Sequence, residues 1–434
     1  MTKPMRVLVF PAGSEIAAEV HSALRWLKDV ELFGAASMAD HSEALFRHLV
    51  TDLPYLGQAG LIERLNSVID QWQIDYIWPA RDDVQLFLAQ HADELGCELV
   101  SAPLPTVETL RSKRATYEAL SDESFVPHTF RDPHESDLPL FAKPSVGEGS
   151  KGATLVEDLA AAREFAANDS YVLCEYLPGV AYTVDCLTGL DGELLCCSPR
   201  TRDRVKSGIS VRSETVADEV VRARVSEIAK RINQRFDFVG AWFFQLKERA
   251  DGSLVLMEAS PRVPGTMGLT RNLGVNYPIL TLYTMRGMRV SAKPLKAQGV
   301  VERAFISRYR LGVEYESVYI DYDDTLVVRG ETNPLAMAFL YQCKNQGKRV
   351  HLLTRHDDEA FGALREDMAR RGIAEGLFDT VMHLGRDDRK SSHVTEPNAI
   401  FIDDSFRERC DVADRCGVPT FDVSSIEALL DWRA

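Results

Sequence analysis

The chain has 434 residues, of which 45% are hydrophobic and 26% are charged. These proportions are typical of a globular protein with sizeable cores, and they exclude a disordered chain, a coiled coil or a collagen-like fibre. At roughly 150 residues per domain, the length suggests about three domains. The 50 basic and 65 acidic residues give a net charge of -15, which argues against a nucleic acid as the main partner because an acidic surface repels phosphate.

The sequence predicts a cytoplasmic protein with no membrane partner. No run approaches the ~18 consecutive apolar residues that a membrane span requires. Pro11 and Gly13 interrupt the apolar start too early for a signal peptide. The eight cysteines include no Cys-x-x-Cys pair, so we expect reduced thiols rather than a disulfide framework or a zinc site. The sequence is also compatible with a homo-oligomer.

Residues 1–105 alternate strand-like and helix-like runs, which predicts a parallel sheet with helices on both faces. The predicted strands are Arg6–Phe10, Val30–Ala35, Tyr76–Pro79 and Glu98–Ser101, and the predicted helices are Ile16–Leu27, Leu61–Trp72 and Val84–Leu95. The turn at Gly13 lacks a GxGxxG fingerprint. We therefore interpret it as a tight turn rather than a phosphate cradle.

Residues 106–295 show strands in antiparallel pairs, which indicates a separate α+β domain. The predicted antiparallel partners are Tyr171–Tyr176 with Tyr182–Thr188, Tyr182–Thr188 with Glu193–Cys197, and Trp242–Lys247 with Ser253–Glu258. Asp191-Gly192 is a typical hairpin turn between two of these strands. Residues 296–315 form a predicted linker.

The α/β alternation returns in residues 316–434, which predicts a small doubly wound, Rossmann-like domain. The predicted strands are Val318–Ile320, Arg349–Leu353 and Asn398–Ile402, and the predicted helices are Asn333–Asn345, Asp357–Arg371 and Glu408–Cys416. The fold class as a whole is therefore multidomain α/β and α+β.

A lysine and a glycine-rich loop suggest a phosphate site in the middle domain. Lys143 lies at the end of an apolar strand, and the small residues that follow it are Gly147, Gly149, Ser150 and Gly152. Glycines let backbone amides approach an anion closely, and the lysine adds a positive charge. A flexible surface hairpin is the alternative interpretation of this segment.

Other residues of the same domain support a nucleotide and metal site. Gln245 and Glu258 lie on the two strands of one predicted hairpin, so both side chains can point at one place and offer oxygen ligands to Mg²⁺. The segment from Glu175 to Leu177 runs from a strand into a loop and can offer backbone groups and a carboxylate to an adenine edge.

Residues 1–290 resemble the ATP-grasp superfamily, nearest to the large subunit of carbamoyl-phosphate synthetase. The segments that carry this resemblance are Pro79-Ala-Arg-Asp-Asp, Ser112-Lys113, the Lys143 strand with its glycine loop, Glu175-Tyr-Leu-Pro-Gly, Arg200–Arg204, Glu258-Ala-Ser-Pro-Arg-Val-Pro-Gly-Thr-Met and Gly274-Val-Asn-Tyr-Pro. The resemblance implies a βα-rich leader followed by two α+β lobes. It also implies ATP and Mg²⁺ as cofactors, with Mn²⁺ as an alternative ion.

The resemblance assigns roles to individual residues. Lys113 and Lys143 would bind the ATP phosphates beside the glycine loop, and Glu175 and Leu177 would face the adenine. Arg262 would stabilise the transferring phosphoryl group or the acyl phosphate. The implied magnesium ligands are Gln245, Glu258 and Ser260. Weaker candidates for an anionic substrate are Arg202 and Arg204.

Two positions depart from the family pattern. Ala181 stands where the family often has a glutamate that contacts the ribose, so Asp185 or another carboxylate would have to replace it. Ser260 stands where asparagine is usual, which weakens one magnesium site.

Polar residues also follow three apolar strands of the C-terminal domain. They are, in chain order, Asp321 and Asp323, Thr354, Lys390 in a loop, and Asp403 and Asp404. Ligand sites of doubly wound folds lie at the carboxyl ends of strands, although helix caps or an acidic loop are the alternative. With four motifs in order, residues 316–434 resemble the haloacid-dehalogenase (HAD) phosphatase superfamily.

The HAD resemblance implies a phosphatase site. Asp321 would be the nucleophile, Asp323 the general acid and base, and Thr354 and Lys390 would bind the phosphate. The implied Mg²⁺ ligands are Asp321, Asp323, Asp403 and Asp404. Only 28 residues separate Thr325 from Thr354, and 35 separate Thr354 from Lys390, so neither segment can form a lid domain and we expect an open site for a phosphorylated substrate.

The two resemblances together predict a bifunctional enzyme, in which an ATP-dependent carboxylate–amine ligase precedes a Mg²⁺-dependent phosphatase. The predicted partners are a small-molecule carboxylate and an amine. Three alternatives remain open: a kinase-like use of the ATP site, a nucleotide-binding regulatory module with only the phosphatase active, and a nucleic-acid end phosphatase.

Overall fold

The computed structural model describes residues 3–147, 149–206 and 208–433. They fall into two compact units, an N-terminal one that ends at Phe305 and a C-terminal one from Ile306 to Arg433. Among the described residues, no helix is both long enough and apolar enough to cross a membrane. All eight cysteines lie in the described ranges, and none of them forms a disulfide.

The N-terminal unit begins with a five-stranded parallel sheet of order β3-β2-β1-β4-β5. Its strands are β1 (Met5–Phe10), β2 (Val30–Ala35), β3 (His48–Val50), β4 (Tyr76–Pro79) and β5 (Glu98–Leu99), and its helices are α1 (Glu15–Leu24), α2 (Leu61–Trp72) and α3 (Asp82–Gln90). The predicted parallel sheet is confirmed. The central strand β1 is buried on both faces, as expected for a parallel sheet covered by helices.

A three-stranded antiparallel sheet of order β7-β6-β8 follows. The elements of this part are α4 (Leu104–Arg111), α5 (Lys113–Ala119), β6 (Leu140–Pro144), β7 (Thr154–Val156), α6 (Leu159–Ala167) and β8 (Tyr171–Glu175). The predicted pairing of β8 with the next strand is wrong, because β8 pairs with β6 instead. The segment after Glu175 carries the chain into a different sheet.

The rest of the unit is built on a four-stranded sheet of order β10-β9-β13-β14 and a small sheet of order β11-β12-β15. The elements are β9 (Ala181–Thr188), β10 (Leu194–Thr201), β11 (Arg204–Lys206), β12 (Ile209–Glu214), α7 (Glu219–Arg235), β13 (Gly240–Glu248), β14 (Leu254–Ser260), α8 (Gly268–Asn272), α9 (Tyr277–Met285) and β15 (Val300–Glu302). Both predicted hairpins, β9–β10 and β13–β14, are confirmed.

The C-terminal unit contains a five-stranded parallel sheet of order β20-β19-β16-β21-β22. Its elements are β16 (Ser317–Ile320), β17 (Val327–Val328), β18 (Glu331–Thr332), α10 (Pro334–Asn345), β19 (Arg349–Thr354), α11 (Asp358–Phe361), α12 (Leu364–Arg370), β20 (Thr380–His383), β21 (Ala399–Ile402), α13 (Phe406–Cys416), β22 (Thr420–Phe421) and α14 (Ile426–Leu429). The single predicted helix over Asp357–Arg371 is two helices, because Gly362 has a φ of +83° and ends the first of them.

Candidate functional site

A cavity of about 380 Å³ lies in the N-terminal unit, at the carboxyl end of β14. Seven basic side chains and three acidic ones line it, although the whole chain carries a charge of -15. Gly149 and Gly208 come together beside it, so closely that a side chain at Gly208 would meet the Gly149 backbone. The cavity is therefore a local positive region suited to an anion.

Gln245, Glu258 and Lys113 meet in this cavity. Gln245 on β13 lies directly opposite Glu258 on β14, as the hairpin pattern predicts. The Nζ atom of Lys113 lies 3.5 Å from Glu258 Oε2 and 3.3 Å from the carbonyl oxygen of Gly147. Lys113 begins α5, and the Ser112 hydroxyl caps that helix by accepting a bond from Ala115 N.

The chemistry of this pair fits a magnesium ion. Gln245 and Glu258 offer an amide oxygen and a carboxylate from neighbouring positions, and both are hard oxygen donors of the kind that Mg²⁺ prefers. Ser260 fits less well, because its hydroxyl donates a hydrogen bond to Asp82 Oδ1 at 2.7 Å. Glu258 and Gln245 are thus the residues that would hold the ion.

Arg262 also lines the cavity, where Asp82 at the start of α3 holds it. Arg262 Nε donates to Asp82 Oδ1 at 2.8 Å, and Nη2 donates to Oδ2 at 2.5 Å. Burial alone would raise the pKa of Asp82, but the Arg262 guanidinium and the Ser260 hydroxyl outweigh it and lower that pKa to about 2. Asp82 is therefore a partly buried anion whose charge is balanced by Arg262.

Some predicted nucleotide-binding residues do not line this cavity. They are Lys143, Ser150, Gly152, Glu175 and Leu177. Lys143 is buried, and its Nζ donates to the Tyr117 hydroxyl at 2.6 Å. Glu175 accepts two bonds of 2.7 Å from Arg249 and one of 2.8 Å from His128 N. These contacts tie both side chains to the protein itself.

Asp185, which was predicted as one possible replacement for the ribose contact, does not line this cavity. The Asp185 side chain is only 1% exposed and forms an ion pair with Arg200. It also accepts a hydrogen bond of 2.7 Å from Thr270. Of the two weaker arginine candidates, Arg202 lines the cavity and Arg204 does not. Burial lowers the pKa of Arg202, and the charge of Glu258 offsets part of that effect.

Several cavity residues were given no role by sequence reasoning, among them Asp82, Arg111 and Arg303. Asp82 lies just beyond the carboxyl end of β4, after two intervening residues. This position alone could have identified it as a candidate site residue, because ligands bind beyond the carboxyl ends of parallel strands. Arg303 reaches the cavity from a distant part of the chain and pairs with Glu15 at 2.7 Å. No local motif marks that contact.

The C-terminal unit brings Asp321, Asp403 and Asp404 together, with carboxylate oxygens within 4.8 Å of one another. They lie just after β16 and β21, which are neighbours in the sheet. Burial and the charge of Asp403 raise the pKa of Asp321, and burial also raises the pKa of Asp404. Three carboxylates at this spacing fit a hard cation such as Mg²⁺.

Lys390 supplies the positive charge of this cluster. Its Nζ lies 2.7 Å from Asp321 Oδ1 and 2.7 Å from Asp403 Oδ2, and its side chain is 5% exposed. Thr354 ends β19, beside β16, and its buried hydroxyl has no hydrogen-bond partner among the described residues. A buried hydroxyl without a partner is costly, so this atom is suited to a bound ligand.

Asp323 lies outside the three-carboxylate group, although it was predicted to be one of the metal ligands. Its carboxylate faces His356 Nδ1 at 2.9 Å, and His356 Nε2 faces the carbonyl oxygen of Gly362 at 2.9 Å. His356 is buried, and sequence reasoning missed it because no motif includes it.

Comparisons with known proteins agree with the fold of the N-terminal unit. Residues 167–307 match the family model described as ATP-grasp in the biosynthetic pathway with Ter operon. No curated protein matches the chain.

Three solved structures are similar at low identity. The biotin carboxylase domain of Hydrogenobacter thermophilus 2-oxoglutarate carboxylase, in complex with MgADP, ADP and bicarbonate, is 15% identical, with a TM-score of 0.58 over 69% of this chain and 74% of that one. Carboxyaminoimidazole ribonucleotide synthase from Aspergillus clavatus, complexed with ATP, is 13% identical, with a TM-score of 0.55 over 68% and 81%. The L-amino acid ligase from Bacillus licheniformis is 16% identical, with a TM-score of 0.54 over 67% and 76%. Together with the family match, these likenesses show that the N-terminal unit contains a domain with the ATP-grasp fold.

Proposed function

We propose that the N-terminal unit is an ATP-dependent carboxylate–amine ligase. The observation that carries this proposal is the meeting of Lys113, Gln245, Glu258 and Arg262 in one positive cavity. In this proposal residues 1–105 and 106–295 act together as leader and ATP-grasp domain. Two of the similar structures are a synthase complexed with ATP and an amino acid ligase, which supports this class of reaction.

The residues of the chain would supply positioning and charge. Lys113 would bind a phosphate oxygen, and Arg262 would contact the γ-phosphate as its charge redistributes. A magnesium ion bound by Glu258 and Gln245 would neutralise phosphate charge. The substrate carboxylate attacks the γ-phosphorus, the bond to the β-phosphate oxygen breaks, and ADP leaves. The amine then attacks the acyl carbon and releases phosphate.

Hydroxylamine traps the acyl phosphate in place of the amine, so it tests this reaction whichever amine the enzyme uses. The protein is incubated with MgATP, hydroxylamine and a panel of carboxylic acids that includes amino acids, and ADP and hydroxamate are both measured. Equal amounts of the two products, both lost in Lys113→Ala, support the ligase. A phosphorylated product that is stable to hydroxylamine would favour a kinase, and bound ATP without turnover across the panel would favour a regulatory module.

For the C-terminal unit we propose a second activity, a HAD-like phosphatase within residues 316–434 and without a large lid. The specific observation in its favour is the cluster of three carboxylates around Lys390, beside the unpartnered hydroxyl of Thr354. Asp321 would attack the phosphorus and form an aspartyl phosphate, while Asp323 would give a proton to the leaving oxygen. Asp323 would then take a proton from water, which would attack the phosphorus, break its bond to Asp321 and release phosphate. A magnesium ion held by Asp321, Asp403 and Asp404 would reduce the repulsion between the phosphate and these carboxylates.

Release of phosphate from p-nitrophenyl phosphate tests the phosphatase. We expect Mg²⁺-dependent release that is lost in Asp321→Asn and unchanged in Lys344→Met, a variant that removes a partly exposed ion pair with Asp379. Equal activity of Asp321→Asn and the unmodified protein would contradict the proposal. Release from a phosphorylated oligonucleotide alone would favour a nucleic-acid end phosphatase.

A further inference from the structure

Helix α3 of the leader sheet holds the loop that follows β14 by two separate contacts. Gln85 Nε2 donates to the carbonyl oxygen of Pro261 at 2.7 Å in a buried position. Asp82, three residues earlier and therefore on the same side of the helix, receives hydrogen bonds from Ser260 and Arg262. The contact of Gln85 therefore fixes the backbone of the loop, and the contacts of Asp82 fix the side chains of Ser260 and Arg262.

The contact with Arg262 fixes the plane of its guanidinium. Nε and Nη2 point at the two carboxylate oxygens of Asp82 in the bidentate arrangement, which is geometrically the most specific pairing of these groups. The guanidinium also lies over the Phe243 ring, 5.1 Å from its centroid, and Nη1 donates to the Val263 carbonyl oxygen at 3.1 Å. The side chains of Arg262 and Asp82 are both 14% exposed, so water has little access to replace the pairing.

We propose that Asp82 is a positioning residue that orients Arg262 toward the γ-phosphate of ATP. This inference rests on the proposed ligase function and adds that its phosphoryl-binding arginine depends on a carboxylate from the leader. An arginine held in place before the ligand binds needs no reorganisation when charge develops on the phosphate. The competing explanation is that Asp82 only joins α3 to the loop.

The preference for a triphosphate over a diphosphate distinguishes these explanations. Calorimetry gives the dissociation constants of MgADP and of the magnesium complex of AMPPNP, a non-hydrolysable ATP analogue, and their ratio reports the contacts with the γ-phosphate. We expect Asp82→Asn to lower this preference roughly tenfold, because it replaces the charged acceptor with two oxygens by a neutral amide with one, so the guanidinium loses its bidentate pairing. Asp122→Asn is the matched control, since Asp122 also accepts two hydrogen bonds from one arginine, Arg235, and neither residue lines the cavity. It should leave the preference unchanged.

Gln85→Met controls for a purely structural role. It removes the other contact between α3 and the loop without touching Arg262, so we expect a lower Tm with an unchanged preference. Equal loss of preference in Gln85→Met and Asp82→Asn would overturn the positioning role. If Asp82→Asn does not fold, Asp82→Glu is measured in its place, because it keeps the charge and displaces the carboxylate; an unchanged preference in Asp82→Glu would also overturn the role.

A double-mutant cycle with Arg262→Met separates this inference from the proposed function. We expect the double variant to lose no more preference than Arg262→Met alone, because Asp82 acts through Arg262. Additive losses, or a loss in Arg262→Met but none in Asp82→Asn, would overturn the positioning role and leave the function standing. No loss in Arg262→Met would overturn the role of the arginine in the proposed function itself.

Discussion

Replacement of Lys390 by methionine removes the positive charge between two buried carboxylates. Nζ lies 2.7 Å from both Asp321 and Asp403, and the three side chains are between 0% and 7% exposed. Methionine has a similar length and no charge, so the variant leaves both carboxylates buried without their positively charged partner. Breaking a buried ion pair in this way costs about 3–5 kcal/mol of unfolding free energy. At about 3–4 °C per kcal/mol, the Tm of the C-terminal unit should fall by about 10–20 °C.

The size of this effect should depend on pH. Burial raises the pKa of Asp321, and Asp403 adds a like charge, while Lys390 opposes both effects. Without Lys390, the folded protein should hold a proton on this carboxyl more tightly than the unfolded chain does. The loss of stability should therefore be small near and below the ordinary aspartate pKa of about 4 and grow as the pH rises through the folded-state pKa.

Differential scanning calorimetry of the full chain in EDTA, at pH 5 and pH 8, measures this difference. Lys344→Met is the matched control, because Lys344 forms a partly exposed ion pair with Asp379 at 3.2 Å and such a pair contributes about 0–1 kcal/mol. We expect Lys390→Met to be far less stable than the control at pH 8 and closer to it at pH 5. A loss no larger than that of Lys344→Met, or an equal loss at both pH values, would refute the electrostatic reasoning.

Two further predictions concern the C-terminal site, and a third concerns an ion pair that does not line the N-terminal cavity. Asp321→Asn should abolish the release of phosphate from p-nitrophenyl phosphate and leave the dissociation constant of MgATP unchanged, which a colorimetric assay and calorimetry check. Mg²⁺ should bind the C-terminal cluster more weakly at pH 6 than at pH 8, because burial raises the pKa of Asp321 and Asp404 and protons compete with the metal. Calorimetry tests this in the Glu258→Gln variant, which removes a proposed magnesium ligand of the N-terminal cavity. Equal affinities at the two pH values would contradict the prediction. Glu175→Gln should lower the free energy of unfolding by about 1–3 kcal/mol, because it breaks the ion pair with Arg249. Urea denaturation measures this, and an unchanged urea concentration at the unfolding midpoint would contradict a stabilising role of the pair.

Local patterns in the sequence predicted the strands and hairpins well. The hairpin at Asp191-Gly192 and the opposition of Gln245 and Glu258 follow from turn residues and strand alternation. The pairing of β8 did not follow, because its partner β6 is earlier in the chain and the nearer strand β9 joins another sheet. Alternation within a strand fixes which residues share a face and does not identify the neighbouring strand.

Residues that meet in the folded chain were predictable where they lie close together in the sequence or at strand ends. Asp403 and Asp404 directly follow an apolar strand, and this position predicts a ligand site. Asp82 and Arg262 are 180 residues apart, so only the folded chain reveals their pairing. His356 lies just after β19, and its contact with Asp323 depends on how the following loop turns.

The central claim is that the positive cavity of the N-terminal unit binds MgATP through Lys113 and Glu258. Calorimetric titration of the full chain with MgATP tests it most directly. We predict Mg²⁺-dependent binding that is strongly weakened in Lys113→Ala and in Glu258→Gln and is retained in Asp321→Asn. Absence of binding, or equal affinity in all of these proteins, would contradict the account.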